Sequence, residues 1–226
     1  PILYGAKKLG MHIHTRYEVS NNAGQDICDI VNNEGFDFLL VGSGISMSDS
    51  PDDIAATRYR TSFYNRYFKR FKAPESWFYP GALLKDKTKM FIARSNCDVG
   101  VFINRNFVKA TNTLVVISSE EDLFLLDYTR TLLKATHGSV GIVAKMSTTT
   151  PGHDQILKEL WDFVSSTPQT QLLPDKDLTP GLFNSYNFML IGYNTWNDVS
   201  EHRKEALQKM PSTLILNKNK RSSSDN

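Results

Sequence analysis

The chain has 226 residues, 40% of them apolar and 22% charged, and a formal net charge of +2. That is ordinary globular composition, enough for one large domain or two small ones, and too close to neutral to imply a nucleic-acid partner through bulk electrostatics. No stretch approaches the roughly 18 consecutive apolar residues that span a bilayer, and two cysteines, Cys28 and Cys97, form no disulfide framework and read as small buried hydrophobes of a reducing compartment.

In chain order, Pro1 to Gly10 reads as the last turns of a helix stopped by glycine, so the chain is expected to continue something longer. Met11 to Val19 alternates as a half-exposed strand, with His12, His14, Arg16 and Glu18 on one face and Ile13, Tyr17 and Val19 on the other. After a turn at Asn21 to Gly24, the stripe Ile27, Cys28, Ile30, Val31 predicts a helix ending near Gly35, and Phe38 to Val41 a short, fully apolar strand. An interruption follows, then a helix from Asp86 to Ser95 and a strand from Val99 to Ile103.

Leu114 to Ile117 predicts the next strand and Ser119 to Thr136 the next helix, with Ser118-x-x-Glu121 and Ser119-x-x-Asp122 as capping boxes and Gly138 as the stop. Ser139 to Lys145 is a strand, and Pro151 to Ser165 a helix burying Ile156, Leu157, Leu160, Trp161 and Val164. Thr170 to Leu173 is a short strand, Leu178 to Phe183 a loop or helical turn, and Phe188 to Ile191 a strand. A helix from Trp196 to Lys209, capped by Asn194 or Thr195, leads to a last strand over Thr213 to Leu216 and a polar tail, 218–226, expected to be disordered.

Two portions of the chain match each other. Phe36-Asp37-Phe38-Leu39-Leu40-Val41-Gly42, a helix, then Cys97 to Ile103 has the pattern of Tyr186-Asn187-Phe188-Met189-Leu190-Ile191-Gly192, a helix, then Pro211 to Leu216. Apolar strands alternating with helices call for a parallel sheet in each copy. The expected fold is α/β, with two Rossmann-like modules: 1–106, truncated at its N-terminus and interrupted by an insertion at 45–85, and 107–217. One continuous mixed sheet would overturn that duplicated scaffold.

Each half resembles a universal stress protein module, and phrases such as Phe38-Leu39-Leu40-Val41-Gly42-Ser43-Gly44 and Asn96-Cys97-Asp98-Val99-Gly100-Val101-Phe102-Ile103 are similar to those in the cytoplasmic tails of bacterial sodium or potassium:proton antiporters of the second cation:proton antiporter family. The resemblance implies a non-catalytic regulatory or assembly domain on the cytoplasmic face of the bacterial inner membrane. Its partners would be its own transmembrane transporter and a second copy in a homodimer, with no nucleic acid. It also implies that the two last strands, Val99 to Ile103 and Thr213 to Leu216, pair antiparallel. The alternative is a free-standing tandem universal stress protein that binds an adenine nucleotide.

Nucleotide-binding stress proteins carry Gly-x-x-Gly after the fourth strand and, nine residues on, Gly-Ser or Gly-Thr, which cradle phosphates on backbone amides and a helix start. Here Gly42, Ser43 and Gly44 stand at the first position and Thr88 near the second, across the insertion, so the spacing and one glycine are lost. In the second copy Gly192 stands alone before Tyr193-Asn194-Thr195-Trp196, and Glu120, Glu121 and Asp122 are expected to repel an anion. No cofactor is expected, an adenine nucleotide on Gly42, Ser43, Gly44 and Thr88 being the one candidate.

Within the insertion, Arg58 to Lys72 holds six basic residues, six aromatics and no acid. On a helix, Tyr59, Phe63, Tyr64, Tyr67, Phe68 and Phe71 fill about half of the wheel, and Arg58, Arg66, Lys69, Arg70 and Lys72 fall mostly on the other half. Such a face packs on its own module or on a partner, or contacts an anionic membrane surface. His12 and His14 have metal-ligand spacing without a third ligand nearby, and no Gly-x-Ser-x-Gly, His-Glu-x-x-His, Walker loop or cysteine–base pair supports an enzyme.

Overall fold

The structure, a computed structural model, describes residues 16–17, 19–42, 87–105, 107–146, 151–174, 178–202 and 209–219. Its elements run α1 (Ala23–Glu34), β1 (Phe38–Gly42), α2 (Lys87–Arg94), β2 (Asp98–Ile103), β3 (Asn112–Ile117), a 3₁₀ turn (Glu120–Asp122), α3 (Leu125–Thr136), β4 (Ser139–Ala144), α4 (His153–Ser166), β5 (Thr170–Pro174), α5 (Pro180–Phe183), β6 (Phe188–Gly192), α6 (Tyr193–His202) and β7 (Ser212–Asn217).

The seven strands share one sheet in the order β1-β2-β7-β6-β3-β4-β5. Every neighbouring pair is parallel except β2 and β7, which run antiparallel with Val99 opposite Asn217 and Ile103 opposite Thr213. The sheet is therefore continuous and mixed, which goes against the expectation of two separate parallel sheets; the antiparallel β2–β7 pair joins two parallel portions in one sheet. The segment β3 to β7 has strand order 5-4-3-6-7, reversing direction of growth between β3 and β6, as doubly wound sheets do.

Helices cover both faces. On one, α3 and α4 bring Leu125, Leu126, Leu133, Ile156, Leu160 and Phe163 against Val115, Ile117, Ile142 and Leu190. On the other, Phe183 of α5 and Trp196 and Val199 of α6 meet Val101, Leu114, Val116, Ile191 and Ile215, while Cys28 of α1 and Phe91 of α2 close over Val99. Both cysteines are free and buried, as read from the sequence.

Several expectations are corrected. Arg16, Tyr17 and Val19 are not in a strand, and Tyr17 and Val19 are exposed. β1 is apolar without being buried: its exposure alternates along the strand. The helix stop after α3 is His137, in the left-handed region at φ 52°, with its N–H bonded to the Leu133 carbonyl; Gly138 serves instead because a Cβ there would overlap the Thr111 carbonyl oxygen. Trp161 is 54% exposed on α4 and no part of the core, whereas Trp196 is fully buried.

The antiparallel junction has a polar clasp on one side. Asp98, first residue of β2, accepts from the Tyr128 hydroxyl of α3 at 2.9 Å and from the Asn219 backbone N–H beyond β7 at 2.7 Å. Burial, then the hydrogen bond to Asp98 and its charge, pushes the Tyr128 phenol above its usual 10.0. A raised folded-state pKa gives stability that is whole below pH 10 and fades as pH climbs through the folded value. Cys97 is raised in the same sense, by burial and then by Asp98. Tyr128→Phe should therefore lower stability by about 1 kcal/mol at neutral pH and flatten the loss above pH 10, leaving the Cys97 contribution; melting temperature against pH for both proteins reads this out, and parallel curves would refute it.

Candidate functional site

In a doubly wound sheet a ligand crevice opens at the carboxyl ends of the two strands where the order reverses, because neighbouring loops there turn to opposite faces. Here those strands are β3 and β6, and the crevice lies between Ser118–Asp122 and Gly192–Thr195. β3 from Leu114 to Ile117 and β6 along its length are buried apolar runs, which fixes the two strand ends side by side, Val116 opposite Ile191.

The crevice is filled from within. Asp122, 2% exposed, folds back across it, and its Oδ2 accepts three hydrogen bonds: from the Ser118 backbone N–H at 2.8 Å, the Ser118 hydroxyl at 3.1 Å and the Thr195 hydroxyl at 2.6 Å. The Ser118 and Thr195 hydroxyl oxygens also lie within hydrogen-bond reach of each other across the gap; each carries one proton, so a bond between them replaces one of the two hydroxyl bonds to Asp122. The other carboxylate oxygen lies against the α-carbon of Gly192, where an added Cβ would overlap it and stand 3.1 Å from Asp122 Cγ. Glycine at 192 is thus required by the carboxylate of the chain itself. The place where a bound anion would meet the strand end is taken by a covalently tethered one.

Around this plug the surface is acidic. Glu121 accepts from the Asn194 side chain at 2.7 Å, bridging the two loops. A cleft of about 200 Å³ beside Gly192 is bounded by Glu121, Tyr193, Asn194 and Lys218, and a groove of about 630 Å³ between α3 and α4 carries Glu120, Asp127, Glu159 and Asp162 along its sides. Arg130 in that groove is bonded to Asp127 at 2.8 Å and lies over the Phe163 ring, 4.9 Å from its centre, so its charge is spent locally. Five carboxylates against two cations, Arg130 and Lys218, favour no phosphate here. Among the described residues no group of three or more histidines, cysteines and acids could hold a metal, and no helix is long and apolar enough to cross a membrane.

Of the residues singled out from sequence, Gly42 ends β1 at an exposed position and Thr88 is buried in the first turn of α2. Ser43 and Gly44, and Arg58, Tyr59, Phe63, Arg66, Tyr67, Lys69, Arg70 and Phe71, lie outside the described residues, as do His12 and His14. Three readings of the stretch from Ser118 to Thr195 are corrected. Neither Ser118 nor Ser119 caps α3: a 3₁₀ turn intervenes and Ser119 makes no side-chain cap bond. Thr195, expected as a cap, is inside α6 and bonds sideways to Asp122. Asp122 itself, expected to repel an anion from solvent, faces inward. The usable signal was the pairing of a lone Gly192 with an acid four residues after Ser118.

No family model and no curated protein matches the chain. A solved structure does: a universal stress protein from Archaeoglobus fulgidus DSM 4304, with a TM-score of 0.52 over 97% of this chain and 76% of that one, at 9% sequence identity. The fold is universal-stress-protein-like. At that identity the likeness concerns the α/β architecture and its mostly parallel sheet; what sits in the crevice is decided by this chain's own Asp122, Ser118, Gly192 and Thr195.

Proposed function

We propose that this chain is a non-catalytic regulatory or assembly domain, made of two universal-stress-protein-like modules joined through β2 and β7, that serves a monovalent cation:proton antiporter at the cytoplasmic face of a bacterial inner membrane. The observation that carries the reading is the Asp122 plug: a crevice already holding its own anion, rimmed by Glu121, leaves docking as the remaining use of the scaffold. The phrases Phe38 to Gly44 and Asn96 to Ile103, both in the first portion of the chain, support the antiporter association. In this role the domain shifts the balance between transporter states through its contacts, and it works as a homodimer with no cofactor. The basic aromatic stretch 58–72 is assigned to the transporter or to anionic lipid headgroups.

Two measurements test this. Proton-coupled cation uptake into vesicles should change its pH dependence when the domain is removed from the transporter; unchanged uptake would refute regulation. Thermal unfolding of the domain should not move with ATP, AMP or cyclic dinucleotides. Were an adenine nucleotide held at a hundredfold excess over its dissociation constant, it would add about 2.7 kcal/mol and raise the melting temperature of a chain this size by about 5–10 °C, which would favour the free-standing nucleotide-binding stress protein instead.

A further inference from the structure

The carboxylate of Asp122 is held the way a protein holds a bound ligand. Its neighbours come from three other places in the fold: the Ser118 N–H and hydroxyl just past β3, the Thr195 hydroxyl in the first turn of α6, and the α-carbon of Gly192 at the end of β6. The carboxylate itself is delivered by the 3₁₀ turn, which contributes no other group to this contact. Donors gathered around one oxygen at the start of a ten-residue helix make a seat for negative charge.

The walls of that seat are anchored independently of the side chain that fills it. Ser118 follows Ile117, a fully buried residue whose carbonyl accepts from the Lys145 N–H at 2.7 Å, and Thr195 precedes the fully buried Trp196. The 3₁₀ turn closes on its own backbone, Asp122 N–H to the Ser119 carbonyl and Leu123 N–H to the Glu120 carbonyl, both at 3.1 Å. Glu121 ties it to Asn194, and the fully buried Leu125 anchors it on the far side. Taking away the Asp122 side chain therefore leaves a framed space with its donors in place, and the cleft of about 200 Å³ beside Gly192 leads to it.

We propose that Ser118, Gly192 and Thr195 form a carboxylate-binding seat, and that Asp122 is its autoinhibitory internal ligand, so that the chain without this side chain takes a small external carboxylate in its place. The inference rests on the plug reading of the crevice and adds to it the class of ligand that the plug imitates. A planar carboxylate is the matching shape. One oxygen meets all the donors, the other lies against the Gly192 α-carbon, and a group 2% exposed has no room beside it for the further oxygens of a phosphate. Glu121 nearby also disfavours a dianion. In the native chain the tether gives Asp122 an effective concentration far above that of a free solute, so outside carboxylates do not enter.

The test is chemical rescue of Asp122→Gly, which removes the atoms of an acetate. Melting is followed by circular dichroism at constant ionic strength in sodium chloride, formate, acetate and phosphate. At about 0.1 M, formate and acetate should raise the melting temperature of the variant by about 3–5 °C over chloride, while phosphate leaves it unmoved and the unsubstituted chain responds to none of them. Adding Gly192→Ala to Asp122→Gly should abolish the response, because its Cβ stands where the second carboxylate oxygen belongs. If Asp122→Gly is unfolded at 25 °C, formate and acetate should restore its far-ultraviolet signal and chloride should not. No difference between carboxylate and chloride, an equal rise in the unsubstituted chain, an equal rise with phosphate, or a response that survives Gly192→Ala overturns the proposal. The vesicle uptake assay judges the regulatory role separately, since it reads transport by the native domain with its plug in place.

Discussion

Asp122→Ala should lower the melting temperature by about 6–12 °C, whereas Asp122→Asn should lower it by only about 2–4 °C. All three donors to Asp122, the Ser118 N–H, the Ser118 hydroxyl and the Thr195 hydroxyl, converge on the same oxygen, Oδ2. Alanine leaves them without an acceptor at a site 2% exposed, which costs about 3 kcal/mol. Asparagine can place its carbonyl oxygen where Oδ2 lies and keep every bond, losing only the charge-assisted part, about 1 kcal/mol. Gly192 supplies the second arm. Gly192→Ala overlaps the carboxylate and should cost about 2 kcal/mol in the wild type, but clearly less when Asp122 is already alanine, giving a coupling energy between sites 122 and 192. Circular-dichroism melts of the four proteins measure it. Equal losses for alanine and asparagine, or strict additivity with Gly192→Ala, would show that the plug is not what holds the crevice shut.

That crevice was half legible in the sequence. Apolar runs such as Leu114 to Ile117 and Phe188 to Ile191 announce buried parallel strands because each residue is apolar irrespective of the face it meets, and these strands are buried throughout. The antiparallel meeting of β2 and β7 was likewise an expectation from the resemblance, and the register places Val101 opposite Ile215. The direction of a short side chain is another matter. Asp122 reads identically whether it caps, repels or folds inward; the answer depends on Ser118 and Thr195, the latter 73 residues away, being brought within hydrogen-bond reach.

The same limit explains the other misreadings. Leu40 and Leu190 stand in near-identical phrases, yet one is 58% and the other 2% exposed, because burial is conferred by neighbouring elements and the phrase carries only the capacity for it. Trp161 falls on the apolar stripe of α4 together with Leu157 and Val164, but the sheet ends at β5 and nothing described lies beyond to take a large ring. Gly138 looked like a stop because glycine follows so many helices; the left-handed residue is His137, and the glycine answers to a backbone carbonyl on another segment.

Trp196→Ala should be the most damaging single truncation, at about 4 kcal/mol and a fall of about 8–16 °C in melting temperature. Trp196 is fully buried, and its cluster joins α6 to Leu114 and Val116 of β3, Met189 and Ile191 of β6, Ile215 of β7 and, across the antiparallel junction, Val101 and Ile103 of β2. Trp161→Ala, 54% exposed on α4, should cost under about 1 kcal/mol. Because one cluster holds both sides of the junction, the two halves should melt in a single transition, and Trp196→Ala should shift that transition as a whole. Loss of the ring weakens β2 against β7 as well as α6 against the sheet, so a second, earlier transition in the variant would mark the junction as the first part to open. A wild-type melt already resolved into two steps, or equal costs for the two tryptophans, would mean that the cluster does not couple the halves and that β2 and β7 are held by their backbone ladder alone.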